Sequence, residues 1–356
     1  MPLTVVYSDD IKGYDFGPGH PFRSDRYANF MTLLRSKLDA HNEIEPRCAS
    51  DRELMLVHDK SYIDALLAAS NGAWLRSDTF MSPDTPLQPG MERAARFIVG
   101  ASVTAAELAW KSDTTHAVGV GGGLHHARSN YAAGFCIYND VAICTLNLLQ
   151  THGLERVLIL DTDAHAGDGT CHIFYEEPRV LLIDLHQDPR TLYPGTGFAH
   201  EIGDGKGKGF TINVPMPPGA SDQAYEYALD HIFAPLAEEF QPQIIIRNGG
   251  SDPHFADELT DLGLTLEGFG MIGRKVKEVA ERVCEGRRVD LLGSGYNQTV
   301  LPPAWLALVA GSAGLQFDLK EAFLFPLRND SGLAETKQVV EELKNNLKAY
   351  WTCFRS

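Results

Sequence analysis

The sequence predicts an α/β fold in one domain, a mainly parallel sheet with helices on both faces. Three observations predict it. Apolar, β-branched runs alternate with stretches of helical periodicity along the chain. Those runs are almost wholly apolar, as strands buried on both faces are. Polar residues gather just past four of them, where open parallel sheets place their ligands.

The elements follow in order. Residues 3–7 read as a first strand, and the Gly- and Pro-rich stretch from Gly13 to Pro21 as a loop. Residues 25–40 repeat Tyr27, Phe30, Leu33, Leu34 and Leu38 at helix spacing. A short apolar segment at 54–58 precedes a helix at 61–69. Residues 78–90 hold Ser82-Pro83-Asp84-Thr85-Pro86 and form a loop, and Ala-rich 91–110 forms a helix. Strand 117–120 runs into Gly121-Gly122-Gly123-Leu124-His125-His126, and 138–149 is helical. Strand 156–160 leads into Asp161-Thr162-Asp163-Ala164-His165-Ala166-Gly167-Asp168-Gly169. Strands at 180–186 and 210–214 and a helix at 222–239 come next. Strand 243–247 ends in Asn248-Gly249-Gly250-Ser251-Asp252, and a helix covers 266–284. Strand 289–293 ends in Ser294-Gly295-Tyr296, and helices at 303–315 and 335–350 close the chain. No linker, repeat or low-complexity segment interrupts residues 1–356, so one domain is expected.

Composition narrows the class. An apolar content of 44% supplies a sizeable core, and no apolar run approaches the about 20 residues of a membrane helix. The amino-terminal residues lack a basic region and turn acidic at once, unlike a signal peptide, so a cytoplasmic location is expected. Cys48, Cys136, Cys144, Cys171, Cys284 and Cys353 are scattered with no Cys-x-x-Cys pair, as reduced structural thiols are. A net charge of −16 lacks the basic footprint of direct nucleic-acid binding; an acidic surface can attract cationic substrates, such as amines or lysine-rich peptides, but charge alone points first to solubility.

The four polar strand ends carry the chemistry. Asp163 and His165 stand two residues apart, so in extended chain they point to one side. With Asp252 they offer three ligands and leave an open position, the pattern of a catalytic Zn²⁺. His125 and His126 are candidate acid–base groups, and Asp161 and Asp168 are spare carboxylates able to orient them. Tyr296 is a donor for an oxyanion. The plain alternatives are helix-capping aspartates, a turn at Asp252-Pro253 and a packed Tyr296. Arg247, closing an apolar strand, finds no role in the sequence. The set as a whole describes metal-assisted hydrolysis of an amide or a related bond.

These blocks resemble the histone deacetylase family, with its bacterial and archaeal relatives in acetoin utilisation and acetylpolyamine deacetylation. The resemblance spans residues 14–305. It is carried by Gly19-His20-Pro21 with Arg26, Gly122 to Ala127, Gly134-Phe135-Cys136-Ile137-Tyr138-Asn139-Asp140, the 161–169 motif, Tyr193-Pro194-Gly195-Thr196-Gly197, Gly250-Ser251-Asp252 and Gly295-Tyr296. It implies the arginase/deacetylase-like fold. It implies Zn²⁺, with Fe²⁺ as the alternative, on Asp163, His165 and Asp252. It pairs His125 with Asp161 and His126 with Asp168, His126 being the preferred general base and acid, and makes Tyr296 the oxyanion donor. Phe135 and Tyr193 become aromatic walls around an acyl-lysine side chain. Gly134 and Leu259 join them in substrate binding, and Asp84 is a rim carboxylate. Arg26 lines the pocket below the metal. Structural K⁺ is implied at Asp161, Asp163, His165, Asp184 and Leu185.

The implied partner is an acylated lysine peptide or an acylated small amine such as an acetylpolyamine, without nucleic acid or membrane, and with a homo-oligomer left open. One departure is plain: Ala166 stands where the family has a second histidine. That residue is no metal ligand in the family pattern, so activity is expected to survive. Asp163-Ala164-His165-Ala166 also resembles the arginase and agmatinase family, so a ureohydrolase is the second reading. A catalytically idle acyl-lysine-binding protein is the third.

Overall fold

The structure, a computed structural model, describes residues 3–38, 40–73, 79–111, 114–324 and 331–355. Asp39, inside the expected first helix, and Asp78, the expected start of a loop, lie outside the described residues. Eight strands form one sheet: β1 (Leu3–Val6), β2 (His41–Ile44), β3 (His116–Val120), β4 (Val157–Asp161), β5 (Val180–Gln187), β6 (Thr211–Met216), β7 (Ile244–Asn248) and β8 (Arg288–Leu292). Their order is β2-β1-β3-β8-β7-β4-β5-β6, and every pairing is parallel.

This order places the site. β7 and β8 come late in the chain and enter between β3 and β4. The four strands whose ends carry the chemistry are therefore neighbours at the centre of the sheet. Because all are parallel, their carboxyl ends share one edge. Every residue of these four strands is buried, so both faces are covered. On one side α4 (Met91–Lys111) packs on β1, β3 and β8 and against α5 (Asp140–Thr151). A second group joins α9 (Leu266–Val283) to α10 (Leu301–Ala313), with α1 (Asp25–Lys37) against α10.

Several elements go beyond the sequence reading, among them β2, α6 (Asp168–Phe174) and the short helix α2 (Asp51–Leu54) that precedes the expected helix α3 (Lys60–Ser70). β2 is an edge strand of sequence His-Asn-Glu-Ile, half-exposed, and it lacks the apolar run that marks the inner strands. α6 is a short helix that begins within the acidic motif. The long helix expected at 222–239 forms as α7 (Asp222–Ala228) and α8 (Ala234–Phe240) with a π-helical turn at Leu229–Phe233 between them.

The sheet also explains Arg247. In the strand register Arg247 on β7 sits opposite Asp290 on β8. Both are buried, and Arg247 Nε donates to Asp290 Oδ1 at 2.8 Å. Asp290 Oδ2 meets His116 Nε2 of β3 at 2.7 Å. The charge in an apolar strand is one member of a triplet that ties three central strands together.

Candidate active site and metal centre

The turn after β4 is folded by its own aspartates. Asp161 Oδ1 accepts the N–H of Asp163 at 3.1 Å, and Asp163 Oδ1 accepts that of His165 at 2.8 Å. Two successive side-chain turns of this kind bring Asp163 and His165 to one side. Asp252 arrives from beyond β7, its Oδ1 held by Ser294 Oγ at 2.6 Å. His165 Nδ1 lies 3.2 Å from Asp163 Oδ1 and 3.1 Å from Asp252 Oδ2. Among the described residues these three form the one group of three possible ligands within 4.8 Å of one another, and all three are buried.

The donor set fits a divalent cation. Tetrahedral Zn²⁺ with nitrogen and oxygen ligands sets neighbouring donors about 3.3 Å apart. One imidazole Nδ1 between two carboxylates has a single proton to give, so it cannot satisfy both. Without a cation, burial strains the charges. Burial and the adjacent Asp163 push Asp252 up to about 7. Burial opposes charge on His165 too, yet Asp163 and Asp252 outweigh it and raise His165 to about 9. A cation among these groups would relieve both.

The two histidines stand beside this group with partners already in place. His125 Nδ1 meets Asp161 Oδ2 at 2.8 Å, and His126 Nδ1 meets Asp168 Oδ1 at 2.8 Å. Their Nε2 atoms face each other at 3.1 Å. Their electrostatics diverge. Burial disfavours charge on His125, but Asp161 and Asp163 overcome it and raise the ring to about 10. Burial and the neighbouring His125 charge push His126 below its ordinary value. Asp168 opens α6 without capping it: the N-cap is Gly167, and the Asp168 carboxylate is turned to His126 and to Arg128.

The start of α5 holds the double-histidine turn. Buried Asp140 accepts the N–H groups of Gly123 at 3.0 Å and Leu124 at 2.7 Å. Asn139 Nδ2 donates to the carbonyls of His125 at 3.2 Å and Ala127 at 3.1 Å. Gly169 lets α6 approach this turn: a Cβ there would lie 2.6 Å from the His125 carbonyl oxygen.

A cavity of about 300 Å³ leads in from the surface, lined by Asp84, His126, Gly134, Phe135, His165, Leu192, Tyr193, Leu259 and Tyr296. The sequence-assigned substrate residues and Tyr296 thus meet in one channel. Tyr193 and Leu259 sit exposed at its mouth, and Tyr296 is buried at its foot, its ring 6.3 Å from that of His165. Burial, with Asp252 and Asp163 nearby, holds the Tyr296 hydroxyl well above its ordinary value, so it keeps its proton. Phe135 sits at φ 66°, a left-handed conformation rare for a bulky residue. Thr85 Oγ1, accepting its N–H at 3.0 Å, and Tyr14 O–H, donating to its carbonyl at 2.6 Å, hold it there. Arg26 is buried, donates to the Gly293 carbonyl at 2.6 Å, and lies 5.6 Å from the Tyr296 ring centre.

The histone deacetylase domain profile matches residues 20–312. The chain belongs to the histone deacetylase family. A probable deacetylase of Archaeoglobus fulgidus is 36% identical over the full length of both chains. The acetoin utilization protein AcuC of Bacillus subtilis is 36% identical, with 85% of this chain and 80% of that protein covered. The crystal structure of the HDA15 HD domain matches with a TM-score of 0.86 at 26% identity, covering all of this chain and 97% of that one. Membership makes the chain a hydrolytic deacetylase with the deacetylase-like α/β fold.

Within this family member, other expected positions fall around the same turn. Asp184, paired with Asp161 in the β4–β5 register, accepts the Gly167 N–H at 2.8 Å, and Leu185 is buried beside it. Ala166 is buried and takes no part in the three-ligand group. His254, the other polar residue after Asp252, faces away: its Nε2 meets Glu321 at 3.0 Å and its Nδ1 accepts the Ala256 N–H at 3.0 Å.

Sequence reasoning missed several supporting residues, Asn248, Arg128 and Asn139 among them. Asn248 Nδ2 donates to Asp161 Oδ2 at 2.8 Å, beside His125. Arg128 Nη2 donates to Asp168 Oδ2 at 2.9 Å. Asn139 anchors the double-histidine turn. Asn248 ends the same strand as Asp252, a signal that was available; the other two depend on how separate elements meet.

Among the described residues no helix is long and apolar enough to cross a membrane, and the six cysteines are free thiols.

Proposed function

We propose that the chain hydrolyses the amide of an acylated amine, an acetyl-lysine side chain or a related acetylated amine, releasing acetate and the free amine. One observation carries the reading. Two adjacent histidines of opposite electrostatic character, each fixed by its own carboxylate, stand beside Asp163, His165 and Asp252 at the foot of an aromatic-walled channel.

Asp163, His165 and Asp252 would hold Zn²⁺, with Fe²⁺ as the alternative, and the ion would supply Lewis acidity to the amide carbonyl and to the attacking water. The other steps belong to the chain. Asp168 fixes the His126 proton on Nδ1, which leaves Nε2, beside His125 Nε2 at 3.1 Å, with a free lone pair as a neutral base. His126 Nε2 takes the proton of the attacking water and later delivers it to the departing nitrogen. One C–O bond forms and the C–N bond breaks. His125, charged against Asp161, adds a positive field at the same point. Tyr296 donates its O–H to the developing oxyanion. Phe135 and Tyr193 flank the apolar stem of the substrate, and Asp84 at the rim accepts from its polar groups. K⁺ is assigned to oxygens of Asp161, Asp163, His165, Asp184 and Leu185, a donor type that suits a hard cation.

The test is amine release from an acetyl-lysine peptide and from an N-acetylated polyamine, side by side, on zinc-loaded protein with His126→Ala as control. Turnover of the peptide gives a protein-directed deacetylase. Turnover of the polyamine alone gives a small-molecule enzyme. Release from neither refutes the proposal.

A further inference from the structure

We infer that Asp257 is a positioning residue that sets the place of Tyr296, and this rests on the oxyanion role proposed above for Tyr296. Asp257 lies in the segment between Asp252 and the rim residue Leu259. Its carboxylate bridges two main-chain donors. Oδ2 accepts the N–H of Tyr296 at 2.8 Å, and Oδ1 accepts that of Leu259 at 3.0 Å. A single partly buried side chain thus ties the foot of the channel to its mouth.

The surrounding contacts show why this tie is separate from the others. The turn from Gly293 to Tyr296 is anchored at several points. Arg26 Nη1 donates to the Gly293 carbonyl at 2.6 Å. The Ser294 carbonyl accepts the Ser251 N–H at 3.0 Å and Trp305 Nε1 at 3.0 Å. Ser294 Oγ is committed to Asp252. These anchors all act before Tyr296, and flexible Gly295, at φ 121°, intervenes. Asp257 bonds Tyr296 directly. A second tie between the same segments, Asn297 Nδ2 to the Ala256 carbonyl at 2.7 Å, keeps them together without fixing the Tyr296 N–H. An oxyanion donor loses its effect when displaced by a fraction of an ångström, because its contact strengthens only in the transition state. Asp257 therefore acts on turnover through Tyr296.

A double-mutant cycle on the zinc-loaded enzyme tests this. Asp257→Asn keeps size and removes one acceptor oxygen; the expected result is a fall in kcat of about tenfold with KM changed less than twofold. Tyr296→Phe is expected to lower kcat by about a hundredfold, and adding Asp257→Asn to it should cost less than twofold more. Should the Asn variant not fold, Asp257→Glu keeps the charge, moves the oxygens by one methylene, and is expected to behave the same way. An unchanged kcat in a folded Asp257 variant overturns the inference. So do multiplicative losses in the double variant, which would leave the role of Tyr296 standing. If Tyr296→Phe itself leaves kcat intact, the proposed role of Tyr296 falls, and this inference with it.

Discussion

His126, the proposed base, must be neutral and correctly turned, and both conditions come from neighbours. Asp168 sets its tautomer, while burial and His125 keep it uncharged. Gly134 matters for the same ring. A Cβ at this position would lie 2.3 Å from His126 Cδ2, and the backbone there is left-handed at φ 56°. Gly134→Ala should therefore lower kcat at least tenfold by displacing the base, with the fold retained in circular dichroism; normal turnover would contradict the packing argument. Tyr296→Phe should lower kcat by about a hundredfold and leave substrate affinity nearly unchanged, because in its proposed role the hydroxyl acts on charge that develops in the transition state. Loss of affinity without loss of turnover would exclude that role. The acids, histidines and tyrosine of the site were legible in the sequence because few structural reasons place such residues after apolar strands. Arg128 and Asn139 were not, since their partners lie on other elements and no local pattern announces them.

At the scale of elements, the inner strands were legible and the edge was not. Burial on both faces forces an apolar run, whereas β2 has one neighbour and half-exposed residues, so polar side chains suffice. Arg247 shows the limit of periodicity. It broke the apolar pattern of β7, and only the register with Asp290 on β8 and the adjoining His116 on β3 explains it. Arg247→Met leaves the buried Asp290 carboxylate with His116 alone. The expected cost is about 3–5 kcal/mol in urea unfolding. Joint replacement by Arg247→Met and Asp290→Leu should be milder, since it removes both charges. A single variant as stable as the parent would show that the triplet adds nothing.

For the whole molecule, strand order brings distant segments into one centre: His125 and His126 follow β3, Asp161 ends β4 with Asp163 to Asp168 after it, Asp252 follows β7 and Tyr296 follows β8. Parallel pairing was readable from the alternation of strands and helices, but the insertion of β7 and β8 between β3 and β4 was not, since it depends on long-range pairing. Stability should also carry a pH signature away from the site. His58 is buried, with Nδ1 against the Arg128 carbonyl at 3.1 Å and Nε2 accepting the Asn139 N–H at 3.0 Å, which requires a neutral ring. Burial lowers it from 6.5 to about 4. Between these values the unfolded chain binds the proton and the folded chain does not. The contribution of His58 to stability should then fall by up to about 3 kcal/mol as pH drops from about 6.5 to about 4, and stay level above. His58→Gln should flatten that slope in urea titrations, and an unaltered slope would assign the acid sensitivity elsewhere.

The most direct test of the central claim is amine release from an acetylated substrate by chelator-stripped protein titrated with Zn²⁺, alongside Asp252→Asn. Activity absent without metal, restored at one ion per chain and missing in the variant is the predicted result. Full turnover in the stripped protein would contradict the account, and so would activity that needs two ions per chain and releases urea from a guanidine.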